Sequence, residues 1–102
     1  MENNLNETFS GFDKSAYSRF NNPELNRLIL VEECSEVTQA VCKVERFGIE
    51  NPVTGDKNKK DLEEELGQLL VMIELTAETN GLDWNNIQDA KNRKLVKMDR
   101  FY

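Results

Sequence analysis

Hydrophobic positions recur every three to four residues along most of this chain, and nowhere do they alternate over the length of a strand. That period predicts helices. At the start of the first, Asn22 suits an N-cap, Pro23 the first turn and Glu24 the positive end of the helix dipole. The pattern persists to about Phe47, and Gly48 ends it. Residues 48–60, GIENPVTGDKNKK, predict a loop with a basic end. A second helix is expected from Asp61, a suitable cap with Glu64 three residues later, to about Asn80 and Gly81. A third follows Asp83 toward the C-terminus, with Trp84, Ile87, Leu95, Met98 and Tyr102 placed to line its inner side. Residues 1–22 lack helical periodicity and read as a polar arm. Its spaced aromatics, Phe9, Phe12, Tyr17 and Phe20, are suited to packing on the body or on a partner subunit, with stacking on a base as the alternative. The expected architecture is all-α: an arm over 1–22 and an antiparallel helical bundle over 23–102.

Charged residues break this pattern where it should be most apolar. On a wheel of about 100° per residue, Ile29, Leu30, Val37, Ala40, Val41, Val44 and Phe47 share one arc of the first helix. Glu33 falls near the middle of that arc, Glu36 at its edge, and Glu32 toward the polar side. In the second helix Leu62, Leu66, Leu69, Leu70, Met72, Ile73 and Leu75 form the arc. Glu65 falls inside it and Gln68 lies one turn further on, whereas Glu63, Glu64, Glu74 and Glu78 are expected to face solvent. A buried ionised carboxylate is costly unless a cation or strong donors compensate it. Two that face each other also raise each other's pKa. Residues three apart share a helix face, so Glu33/Glu36 and Glu65/Gln68 can converge from two antiparallel helices. A divalent cation resolves the conflict, and ligands that are all oxygen select a hard ion, Mg²⁺ first and Mn²⁺ next. The competing reading pairs Glu33 or Glu65 with a lysine or arginine across the bundle.

Composition narrows the chemistry. A chain of 102 residues is one domain with a limited core, so a homo-oligomer is expected. The net charge of −6 argues against general affinity for nucleic acid. With no histidine, catalysis by Ser-His-Asp or Cys-His groups and zinc sites with His ligands are excluded. Cys34 and Cys42 lie ~12 Å apart along one helix, too far to form a disulfide with each other. No apolar run has membrane-spanning length, and MENNLNETFSGFD shows no signal-peptide pattern. The expected location is the cytoplasm, with both thiols reduced.

E-E-x-x-E at Glu32, Glu33 and Glu36, followed after a loop by E-x-x-Q at Glu65 and Gln68, resembles the MazG-like all-α NTP pyrophosphohydrolases, in particular their small stand-alone phage-type members. The resemblance runs from NRLILVEECSEVTQAVCKVERFG through DLEEELGQLLVMIEL to the lysine-rich AKNRKLVKM. It implies a helical bundle assembled as a homodimer or homotetramer. It further implies Mg²⁺-assisted cleavage of nucleoside triphosphates between the α and β phosphates, giving a monophosphate and pyrophosphate. The family's metal ligands fall on Glu33, Glu36, Glu65 and Gln68, where Gln68 replaces the usual Asp and removes one negative charge. Glu32 or Glu36 would take a proton from the attacking water. Lys94 and Lys97 match the lysine-rich tail, and Lys43 and Arg46 are further candidates for phosphate contacts. Two other functions fit the same residues. One is a protein that binds a nucleotide without turnover, motivated by Gln68. The other is a helical adaptor whose glutamates make salt bridges between subunits.

Overall fold

A computed structural model of the chain describes residues 20–49, 53 and 55–101. Among these residues there are three helices and no strand: α1 (Pro23–Phe47), α2 (Gly55–Thr79) and α3 (Trp84–Phe101). The fold is all-α, as the sequence predicts. Phe9, Phe12, Tyr17 and Tyr102 lie outside the described residues, and Phe20 is exposed.

α1 begins and ends where its signals place it. The Asn22 side chain accepts a hydrogen bond from the Leu25 amide (3.0 Å), satisfying an otherwise unpaired donor of the first turn. Gly48, at φ 83°, closes the helix with its amide donating to the Val44 carbonyl (2.7 Å). α2 starts at Gly55, a turn and a half before the expected cap at Asp61. Two local contacts favour the longer helix. Lys57 pairs with Asp61 one turn on (2.7 Å), and buried Asn58 donates to the Gly48 carbonyl (3.3 Å), tying the start of α2 to the end of α1. α2 ends in a Schellman arrangement. The Leu82 amide donates to the Ala77 carbonyl (2.9 Å) and that of Gly81 to the Glu78 carbonyl (3.4 Å), with Gly81 at the required positive φ of 64°. The Asp83 side chain then caps α3 by accepting from the Asn85 amide (2.8 Å).

α1 and α2 form an antiparallel pair. At its closed end lies Asn58 against Gly48; at its open end lies Asn26, the most completely buried side chain among the described residues. Asn26 donates to the Phe20 carbonyl and to the Thr79 hydroxyl (both 2.9 Å), while the Thr76 hydroxyl donates to the Asn26 carbonyl (3.3 Å). Arg27 donates to the Asn80 side chain, and Asn80 reaches back to the Pro23 carbonyl (3.4 Å). These bonds set the register of the pair, so that Glu36 lies near the level of Gln68 and Ala40 near that of Glu65.

Among the described residues Ala40, Met72, Leu75 and Ala77 are the buried apolar ones, with Ile29, Leu30, Val37, Val44, Leu62, Leu69 and Ile73 half-buried. Met72 and Leu75 are therefore covered within the chain. From residue 72 to 77 α2 is buried on nearly all sides, Glu74 included. α3 differs from expectation in the other direction. Trp84 and Ile87 are half-buried, but every described residue from 89 to 101 is exposed, Leu95 and Met98 among them.

Candidate functional site

The inward-facing carboxylates of the two helices lie along the middle of the α1–α2 pair. Glu33 and Glu65 are half-buried, and each has a carboxylate oxygen, Oε1, that is buried without a hydrogen-bond partner. The reading that pairs either with a lysine or arginine finds no support, because no ion pair involving them occurs among the described residues. Burial holds the Glu65 carboxyl above the usual glutamate range, and the charges of Glu36, Glu33, Glu64 and Asp61 raise it further. The wheel argument thus places Glu33 and Glu65 correctly, and their mutual repulsion is present.

Beside them a groove of about 210 Å³ runs between the helices, lined by Glu36, Gln39, Ala40, Lys43, Asp61 and Glu65. Glu36 and Lys43 are thereby brought together with Glu65. The remaining candidates lie elsewhere. Gln68 is exposed and its amide nitrogen donates to the Glu64 carboxylate one turn back (2.9 Å), so Gln68 is not part of the lining. Glu32 is exposed on α1. The Arg46 guanidinium lies over the ring of Phe47, 5.7 Å from its centre, and Lys94 and Lys97 are on the exposed length of α3. Gln39 and Asp61 are groove residues that sequence reasoning missed. Asp61 was legible in principle: it lies four residues before Glu65, but taking it as a cap removed it from the wheel.

The donor chemistry suits a hard divalent cation. It is all oxygen, two of the oxygens lack partners, and repulsion between the carboxylates is relieved by positive charge. As the side chains stand, no three acidic or cysteine groups among the described residues are close enough together to hold a metal directly. The arrangement is a pair of unpartnered carboxylates next to an acidic groove with one lysine at its wall.

Fold and groove define an all-α protein with a carboxylate-lined cleft between two antiparallel helices. Residues 21–100 match the family model of the MazG nucleotide pyrophosphohydrolase domain, and the chain belongs to that family. No curated protein and no solved structure matches the chain. Among the described residues no helix is long and apolar enough to cross a membrane.

Proposed function

We propose that the chain is a Mg²⁺-dependent nucleoside triphosphate pyrophosphohydrolase, converting an NTP or dNTP to the monophosphate and pyrophosphate by attack of water at the α phosphorus. The observation that carries this reading is the pair of buried, unpartnered oxygens on Glu33 and Glu65, the second of which lines the groove. Membership of the nucleotide pyrophosphohydrolase family supports it. Glu33, Glu36 and Glu65 would hold the cation. When bound, Mg²⁺ supplies Lewis acidity and offsets the negative charge of phosphate oxygens. Glu36, exposed and on the groove wall, accepts the proton of the attacking water. Lys43, on the same wall, faces the phosphates and offsets charge that accumulates on the departing pyrophosphate.

The replacement of the family's Asp by Gln68, with its amide turned to Glu64, favours a second reading: a nucleotide-binding protein without turnover. A panel of nucleoside triphosphates with Mg²⁺ separates the readings. Release of monophosphate and pyrophosphate establishes the enzyme. Saturable nucleotide binding without products establishes the binder. Absence of both leaves a helical adaptor.

A further inference from the structure

We infer that Asn26 is a positioning residue: by tying α1 to the end of α2 it holds the faces that carry Glu33 and Glu65 at a fixed spacing against the repulsion between them. The inference rests on the reading above, in which these carboxylates serve the reaction.

The middle of the helix pair has little else to hold it. From Arg27 to Gln39 of α1 and from Lys59 to Val71 of α2 no residue is fully buried. These stretches contain Glu33, Glu36, Asp61 and Glu65. The charges of Glu36 and Glu33 on one helix are felt at Glu65 on the other, so the two faces push apart. Ties stand at either end. At one, Asn58 donates to the Gly48 carbonyl (3.3 Å). At the other, Asn26, only 1% exposed, donates to the Phe20 carbonyl and the Thr79 hydroxyl (both 2.9 Å), while its own backbone carbonyl accepts from the Thr76 hydroxyl (3.3 Å). Asn26 precedes Glu33 by seven residues, close to two turns, and Thr76 follows Glu65 by eleven, close to three turns. The tie therefore lies on the same face of each helix as its inward glutamate. A shift or rotation at the tie is carried along each helix to the carboxylates.

The tie demands a side chain with two donors. The Thr79 hydroxyl gives its one proton to the Leu75 carbonyl (2.7 Å), so toward Asn26 it can only accept. The Phe20 carbonyl likewise only accepts. Both N–H bonds of the Asn26 amide are used. An aspartate of the same shape would set its carboxylate against two acceptors.

The test reads distance and turnover in the full chain. Spin labels on Cys34 and at Val71→Cys, in a Cys42→Ser background, report the spacing of the pair near the level of Glu33, and both labelled positions are exposed. Labelled chain is diluted into unlabelled chain so that each distance lies within one copy, and circular dichroism shows that each variant is folded. Asn26→Asp is expected to broaden or shift the distance distribution. It should lower kcat for pyrophosphate release on the order of tenfold or more, with KM within about threefold. Thr79→Val removes one acceptor without adding charge and should act in the same direction, which decides the matter if Asn26→Asp fails to fold. Thr79→Ser, which keeps the hydroxyl, should retain the native spacing and kcat. A native distance distribution in the folded Asn26→Asp and Thr79→Val variants overturns the inference, whatever their turnover. An altered distribution with native turnover overturns it as well, because the spacing then has no bearing on the reaction. If the native chain releases no pyrophosphate, the functional reading falls, and the distances alone decide whether Asn26 fixes the spacing.

Discussion

Glu74 is nine-tenths buried with one carboxylate oxygen lacking a partner, so its ionised form penalises the folded state. Burial raises its pKa above the ordinary glutamate range. The folded chain then holds this proton more tightly than the unfolded chain does. Stability from this group is therefore greatest below the ordinary range, falls as pH rises from there through the raised value, and is level above it. Glu74→Met should raise the melting temperature at neutral pH by an amount corresponding to about 1–3 kcal/mol and flatten that slope. A melting temperature that stays the same or drops would show that the carboxylate has a partner in solution. The wheel misplaces Glu74 because it assumes one buried arc, whereas α2 is buried almost all round from Met72 to Ala77. Where burial loses its period, position on the wheel carries no information. The same wheel works for Glu33 of α1 and Glu65 of α2, which lie where each helix still has a wet side. Glu33→Ala and Glu65→Ala should each abolish Mg²⁺-dependent pyrophosphate release, while Glu63→Ala, on the exposed side, should change it little. Equal losses in all three would contradict the assignment of the inward pair.

At the scale of elements, α1 was legible at both ends because its caps are local signals: Asn22 with Pro23 at the start and Gly48 at the end. The start of α2 was not. Asp61 with Glu64 imitates a capping box, yet the preceding lysines and asparagine continue the helix, helped by the Lys57–Asp61 pair and the Asn58 tie to Gly48. That misreading also hid Asp61 from the candidate site. Of the site, the glutamates were legible from their position among apolar residues. Gln39 was not, being an ordinary polar residue that only the packing of two helices turns into groove wall. α2 also carries an unexplained weak point. Gly67 lies in its interior, exposed, with open space where a Cβ would project. Gly67→Ala should stabilise the isolated chain by roughly 0.5–1 kcal/mol through helix propensity alone. A lower melting temperature for the alanine variant would show that another backbone approaches this point in solution.

For the whole molecule the decisive feature is that the α1–α2 pair has two unlike sides. The groove residues Glu36, Gln39, Lys43 and Asp61 project to one side of the contact between the helices. By helical spacing, Val31, Cys34, Thr38 and Val41 of α1 and Leu66 and Leu70 of α2 project to the other. These six are all exposed and uncharged, with Arg27 and Glu45 of α1 and Lys59 and Glu63 of α2 flanking them on the same side. Val31 at 66% and Leu70 at 60% exposure are large apolar side chains left in water. We propose that this side is covered by a second copy of the chain, which would leave the groove open to substrate. Sedimentation should show at least a dimer at micromolar concentration, and Leu70→Glu should shift it toward monomer without removing the helical signal. A native chain sedimenting only at 11.8 kDa would contradict this. The central claim, that the unpartnered carboxylates beside the groove serve nucleotide hydrolysis, is tested most directly by pyrophosphate release from nucleoside triphosphates with Mg²⁺. The native chain should release pyrophosphate and a monophosphate in equal amounts, and folded Glu65→Gln should release neither. Release at the native rate by Glu65→Gln, or release of single phosphate in place of pyrophosphate, would contradict the account.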